Sequence, residues 1–188
     1  MQKYLSITPL IIFFCVVVVF FYFLIIKRDP SYLPSVLINQ KAPLFEATSL
    51  FNNEPFIYEE EFGHETVIVN FFATWCVPCR MEHSFINQLS KEKDIKVIGI
   101  NYKDDPKKAI EWLQKLGNPY SNVAVDSNGN IGINWGVSGM PETFIVNKNN
   151  IVLYRQEGPI TKDTYDNFYQ QIKAVSYTHL TLPTNREV

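Results

Sequence analysis

Cysteine is scarce in this chain, with three in 188 residues. That excludes a scaffold stapled by several disulfides. Long basic runs are missing and the net charge is −2, which argues against a nucleic-acid partner. There is no internal repeat and no low-complexity tract. With 46% hydrophobic residues, the chain is too apolar for general disorder. Charge is wholly absent from residues 4–26, YLSITPLIIFFCVVVVFFYFLII. What remains is the size of one domain.

The uncharged stretch reads as a membrane anchor within residues 1–28. A bilayer core of about 30 Å takes about 20 apolar residues in a helix, and Leu5–Ile26 supplies them. No small-x-small cleavage site follows; Lys27-Arg28-Asp29-Pro30 does, so the segment is expected to stay attached. Lys3 precedes the span and Lys27 and Arg28 follow it, so positive charge does not decide the orientation. Cys15 lies inside the span and reads as a small apolar residue. Residues 29–40 read as a linker, where Pro30 and Pro34 discourage a helix. Residues 29–175 hold 18 Asp and Glu against 13 Lys and Arg, a balance of −5, which favours solubility.

From residue 41 to 175 strand and helix patterns alternate. Thr66–Phe72 (TVIVNFF) is β-branched and aromatic, as in a buried central strand. Pro78–Ser90 reads as a helix with Phe85, Ile86 and Leu89 on one face. Strands follow at 94–101 and 123–125, with a helix at 106–116 between them. The last is bounded by Asp104-Asp105, Pro106 and Gly117. After a turn at 126–129, strands at 143–146 and 151–154 form a hairpin, and 161–175 is a helix. This order predicts an α/β fold whose mixed central sheet has helices on both faces. Residues 176–188 contain Pro183, break the pattern and read as a disordered or non-native tail.

Cys76 and Cys79 stand directly after the strongest strand and at the start of a helix. Free N–H groups and the helix dipole stabilise a thiolate there, which lowers the thiol pKa and creates a nucleophile. A second cysteine two residues further on can attack the first sulfur and resolve a mixed disulfide. Cys76 is the expected exposed attacker and Cys79 the shielded resolver. Pro78 sits where its missing N–H costs little. A structural disulfide would close only a tiny loop. Zinc held by Cys76, Cys79 and His83 would need a fourth ligand; no further cysteine lies outside the span, and His64 has no motif around it. Covalent haem needs His after the second cysteine, but Arg80 stands there. His83 is expected to be a solvated helix residue. Glu82, taken alone, reads as a surface residue.

Phe71-Phe72-Ala73-Thr74-Trp75-Cys76-Val77-Pro78-Cys79-Arg80 resembles the active-site segment of the thioredoxin fold. Gly139-Met140-Pro141-Glu142-Thr143-Phe144 resembles its cis-proline loop. With residues 99–104, 117–120 and 154–159, the chain is similar to the CcmG/DsbE family over roughly 1–175. Those are membrane-anchored periplasmic thiol:disulfide oxidoreductases of cytochrome c maturation. The resemblance implies a thioredoxin fold with Cys76 and Cys79 as the redox pair. It implies that Pro141 is cis and that the backbone at Met140 pairs with an extended substrate. Glu82 and Glu142 match acidic positions that tune thiols or move protons, and Trp75 lies on the rim. Six residues before Cys76, general thioredoxins carry a buried Asp; Asn70 stands here and cannot accept a proton. Trp112 and Trp135 read as packing residues.

The implied activity is reduction of the CxxCH disulfide of apocytochrome c by a domain facing the periplasm from the bacterial inner membrane. The partners would be apocytochrome c with the haem-attachment machinery, and a CcdA/DsbD-type membrane electron donor. No metal or organic cofactor is expected. Two alternatives stand beside it: a less specialised membrane-tethered reductase of the ResA/TlpA kind, and a module that binds apocytochrome without redox turnover. A peroxiredoxin would use a lone cysteine with Thr and Arg rather than this pair.

Overall fold

A computed structural model describes the backbone of residues 2–25, 37–61, 65–93 and 95–177, and the side chains of 8–22, 37–60, 65–93 and 95–175. The chain divides into two units, Met1–Pro34 and Ser35–Val188. In the first, Gln2–Ile25 forms one helix, α1, with Pro9 inside it and Cys15 exposed. Among the described residues no helix is long and apolar enough to cross a membrane. Residues 1 and 26–28 of the expected anchor, 29–36 of the expected linker and 178–188 of the expected tail lie outside the described residues.

The second unit is a layered α/β domain. Its strands are β1 (Glu46–Ser49), β2 (Pro55–Ile57), β3 (Thr66–Phe72), β4 (Ile95–Tyr102), β5 (Asn122–Asp126), β6 (Glu142–Val146) and β7 (Val152–Glu157). Its helices are α2 (Val77–Leu89), α3 (Pro106–Leu116), α4 (Asn130–Asn134) and α5 (Lys162–Tyr177). The sheet order is β2-β1-β5-β4-β3-β6-β7. β3, β4 and β5 run parallel, while β1–β2, β1–β5, β3–β6 and β6–β7 are antiparallel. The mixed sheet, covered on both faces, is the one the alternating pattern predicts. The β1–β2 hairpin and the five-residue α4 are additions to it.

Strand alternation divides the core in two. Ile68 and Phe72 on β3 face α2, α3 and α5, and pack with Ile86, Leu89, Trp112, Leu113, Phe168 and Ile172. Val67, Val69 and Phe71 face the other way, toward α4, and pack with Ile100, Ile131, Trp135 and Phe144. Trp135 is fully buried and meets Phe144 edge-on with ring centroids 5.1 Å apart. Trp112 stacks on Phe72. Both tryptophans are packing residues, as expected, although Trp135 is a central core residue and not a loop filler.

Ahead of β1, residues 39–42 lie along the β6–β7 hairpin. Asn39 N–H donates to the Val152 carbonyl, and Val152 N–H to that of Gln40. Ala42 N–H donates to the Asn150 carbonyl, and Asn150 Nδ2 returns a bond to that of Ala42. The ordered domain therefore takes in Asn39 and Gln40.

Candidate active site

β3, an interior strand, carries the chain to the end of the sheet, and Cys76 caps the helix that follows. Its backbone is extended (φ −87°, ψ 107°), and Sγ accepts a hydrogen bond from Cys79 N–H at 3.1 Å. Pro78 occupies an early helical position, as its missing N–H allows. The two sulfurs are bonded at 2.09 Å, so the structure is the oxidised form. Cys76 is 5% exposed and Cys79 1%. The expected order of accessibility holds, but Cys76 is recessed, because its sulfur lies against its partner and the core beneath α2. Close to it in sequence, Trp75, Val77 and Met81 are exposed, at 56%, 70% and 61%.

The approach to Cys76 is pinned by Asp104, which the sequence pattern assigned to helix initiation. Asp105 makes that cap, accepting from Lys107 N–H. Asp104 instead accepts from Thr74 N–H at 2.6 Å, Thr74 Oγ1 at 2.7 Å and Asn101 Nδ2 at 3.0 Å. Trp75 Nε1 donates to the Lys103 carbonyl. The β4–α3 loop thus holds both residues that precede the first cysteine.

Glu82 is buried under α2, not on its surface. It lies three residues after Cys79, on the same face of the helix. Oε1 accepts from Asn70 Nδ2 at 2.8 Å and Oε2 from Ile160 N–H at 3.0 Å. Burial pushes its pKa up to about 7, against the pull of these two donors. Tyr120 donates its hydroxyl hydrogen to Asn70 Oδ1 at 2.7 Å, and burial holds the phenol well above its ordinary pKa.

A folded-state pKa raised from 4.5 to about 7 makes stability depend on pH. The native protein holds this proton more tightly than the unfolded chain does. The stabilisation is complete below about pH 4.5 and lost as pH rises through about 7. At about 1.4 kcal/mol per unit, the loss is about 3 kcal/mol. Glu82→Gln, which carries no titrating group, removes this decline. Urea unfolding of the oxidised protein at pH 5 and pH 8 tests it, and an unchanged pH dependence refutes it.

His83 is buried, not solvated. Its Nε2–H donates to the Gly117 carbonyl at 2.8 Å, and its ring meets Trp112 edge-on at 4.3 Å. Burial lowers its pKa. The residue locks α2 to the end of α3. Zinc would need that nitrogen beside sulfurs that are bonded to each other. Among the described residues no group of three or more His, Cys, Asp or Glu could hold a metal ion.

The peptide between Met140 and Pro141 is cis, as the family resemblance implies. Met140 packs against the core cluster that contains both cysteines. Glu142, expected with Glu82 as an acidic group near the active site, is on the opposite face of the sheet from Thr143. It pairs with Phe71 across β3, whereas Thr143 pairs with Asn70 and accepts a hydrogen bond from it. Both Glu142 oxygens are taken up by the Arg155 guanidinium, at 2.9 Å each. Oε1 also accepts from Ser138 N–H, Ser138 Oγ and Gly139 N–H. Glu142 clamps the loop leading to Pro141. Arg155, the other half of the clamp, carried no sequence signal beyond its place in the 154–159 segment that resembles the family.

Residues 38–172 match the Redoxin family. The chain is 39% identical over 170 residues to the thiol:disulfide interchange protein DsbE of Escherichia coli K12, covering 88% of this chain and 91% of that one. It is 40% identical over 132 residues to the DsbE of Vibrio cholerae, covering 70% and 71%. Among solved structures it resembles a Chlorobium tepidum protein assigned as a DsbE thiol:disulfide interchange protein. That match has a TM-score of 0.66 and 27% identity, over 77% of this chain and 99% of that one.

Proposed function

Since the chain belongs to the DsbE family of thiol:disulfide interchange proteins and is a thiol:disulfide oxidoreductase, we propose that it reduces the CxxCH disulfide of apocytochrome c during cytochrome c maturation. The observation that carries this reading is the Cys76–Cys79 pair at the start of α2, with Trp75, Val77 and Met81 exposed beside it. Cys76 thiolate attacks one substrate sulfur and releases the other as a thiolate. Cys79 then attacks Cys76 Sγ, and the second substrate sulfur leaves. Two electrons and two protons pass to the substrate, and the pair ends as the disulfide. A CcdA/DsbD-type membrane reductase returns it to the dithiol.

Two residues flank this chemistry in supporting roles. The backbone at Met140 pairs with the extended substrate ahead of Pro141, and Glu82 exchanges protons with the thiols. Residues 5–26, free of charge, anchor the chain as a single pass in the bacterial inner membrane, with the redox domain in the periplasm.

Reduced full-length protein in detergent is the material for the test. A disulfide-bonded Cys-x-x-Cys-His peptide should be reduced at least about tenfold faster than insulin, the gap that about 1.4 kcal/mol of transition-state preference gives. Equal rates would point to an unspecialised reductase.

A further inference from the structure

Asn70 takes the place of an acid, and its amide is held in one orientation. Both hydrogens on Nδ2 are used, one to Glu82 Oε1 and one to Thr143 Oγ1. Oδ1 accepts from the Tyr120 hydroxyl. Tyr120 is buried; a hydroxyl that accepted from Asn70 would leave its own hydrogen unpaired, which is costly. Donation is the arrangement without that cost, and it turns the N–H side of the amide toward Glu82.

The seat of Tyr120 is built for this contact. Gly99 on β4 pairs with Asn70 on β3. A Cβ at Gly99 would lie 2.9 Å from Tyr120 Cγ and 3.0 Å from Phe72 Cε1. The absent side chain is the space in which the Tyr120 ring, stacked on Phe72 at 4.9 Å, reaches across to Asn70.

Glu82 therefore faces two donors, Asn70 Nδ2 and Ile160 N–H. A helical side chain leans over the turn that precedes it, and for Glu82 that turn carries Cys79. We propose that Tyr120 and Asn70 are positioning residues that present the Glu82 carboxylate as proton acceptor to Cys79 during resolution of the mixed disulfide. In that step Cys79 sulfur bonds to Cys76 Sγ and the bond from Cys76 Sγ to the substrate sulfur breaks. The substrate leaves as a thiolate with the electron pair, and the Cys79 proton passes to Glu82. The inference rests on thiol:disulfide exchange and is independent of which protein is the substrate.

The groups around Glu82 are few. α2 contributes Cys79 and His83, and the His83 Nε2–H is committed to Gly117. Arg80, also on α2, lies over the Trp112 ring. Tyr120 comes from the α3–β5 loop. β3 and β6 offer the uncharged Asn70 and Thr143, and the β7–α5 loop offers the Ile160 amide. Tyr120→Phe keeps the ring and removes the hydroxyl. The Asn70 amide is then free to turn Oδ1 toward Glu82, where the neutral acid can donate to it. That favours the protonated form.

The test uses reduced full-length protein in detergent, mixed with dithiobis-nitrobenzoate. The first nitrothiobenzoate is released as the mixed disulfide forms on Cys76, and the second as Cys79 resolves it. The rate of the second release is followed from pH 5 to 9. Its midpoint is expected to rise by about one pH unit in Tyr120→Phe, the worth of one buried hydrogen bond. In a Glu82→Gln background, Tyr120→Phe should move nothing further. Gly99→Ala, which crowds Tyr120 from its seat, should shift the midpoint in the same direction and is the readout should Tyr120→Phe not fold. An unmoved midpoint, an equal slowing at every pH, or the same displacement in the Glu82→Gln background overturns the proposal. Release of dye by wild type alongside failure on the CxxCH peptide would count against the substrate, not against this inference.

Discussion

Cys76→Ala is expected to lose disulfide reduction by about a thousandfold or more, the scale seen when a covalent nucleophile is removed. Cys76 is the more accessible of the two cysteines, and its sulfur accepts the Cys79 N–H at the start of α2. The one other cysteine of the redox domain, Cys79, is the more deeply buried. Cys79→Ala should behave differently. It retains the attacking thiolate and lacks the group that expels the substrate, so a mixed disulfide through Cys76 accumulates. Non-reducing electrophoresis and mass spectrometry read both outcomes. Undiminished turnover in Cys76→Ala, or a partner trapped on Cys79 in that variant, would refute the assignment of roles.

The second large effect concerns stability. Arg155→Ala should destabilise the fold by about 3–5 kcal/mol, the usual consequence of leaving one partner of a buried ion pair alone. Arg155 and Glu142 side chains are both nearly fully buried. The guanidinium meets both carboxylate oxygens and also donates to Ser138 Oγ at 3.1 Å. Arg155→Lys should fall between the two, because one ammonium cannot reproduce the planar fork. Urea unfolding of the oxidised protein supplies the numbers. A loss under about 1 kcal/mol would place the pair with exposed salt bridges and end the clamp interpretation.

The parts of the molecule legible in the sequence are those whose signal is local. β3 is a seven-residue apolar run, and α2 follows it with a cap and an early proline. The cysteine pair at their junction could therefore be placed before any coordinates. β1 and β2 are four and three residues long, too short for alternation to register, and they exist because they extend the edge beside β5. α4 has five residues and is held by Asp126, which accepts from Ile131 and Gly132 N–H. His83 and Glu82 were misplaced on the surface because their burial comes from Gly117 and Ile160, partners 34 and 78 residues away. Glu142 could have been separated from Glu82 by parity. It shares a face with Phe144 and Val146, while Thr143 and Ile145 look toward α2.

The hydrogen bonds between residues 39–42 and 150–152 also fix where the chain enters the domain. β6 runs antiparallel to β3, with Val146 beside Val67 and Glu142 beside Phe71. The β6–β7 turn therefore lies at the end of the sheet opposite the Cys76 junction. Residues 39–42, bonded to that turn, therefore join the domain at the end of the sheet away from the cysteine pair, and the first turn of α2 is left clear of the incoming chain.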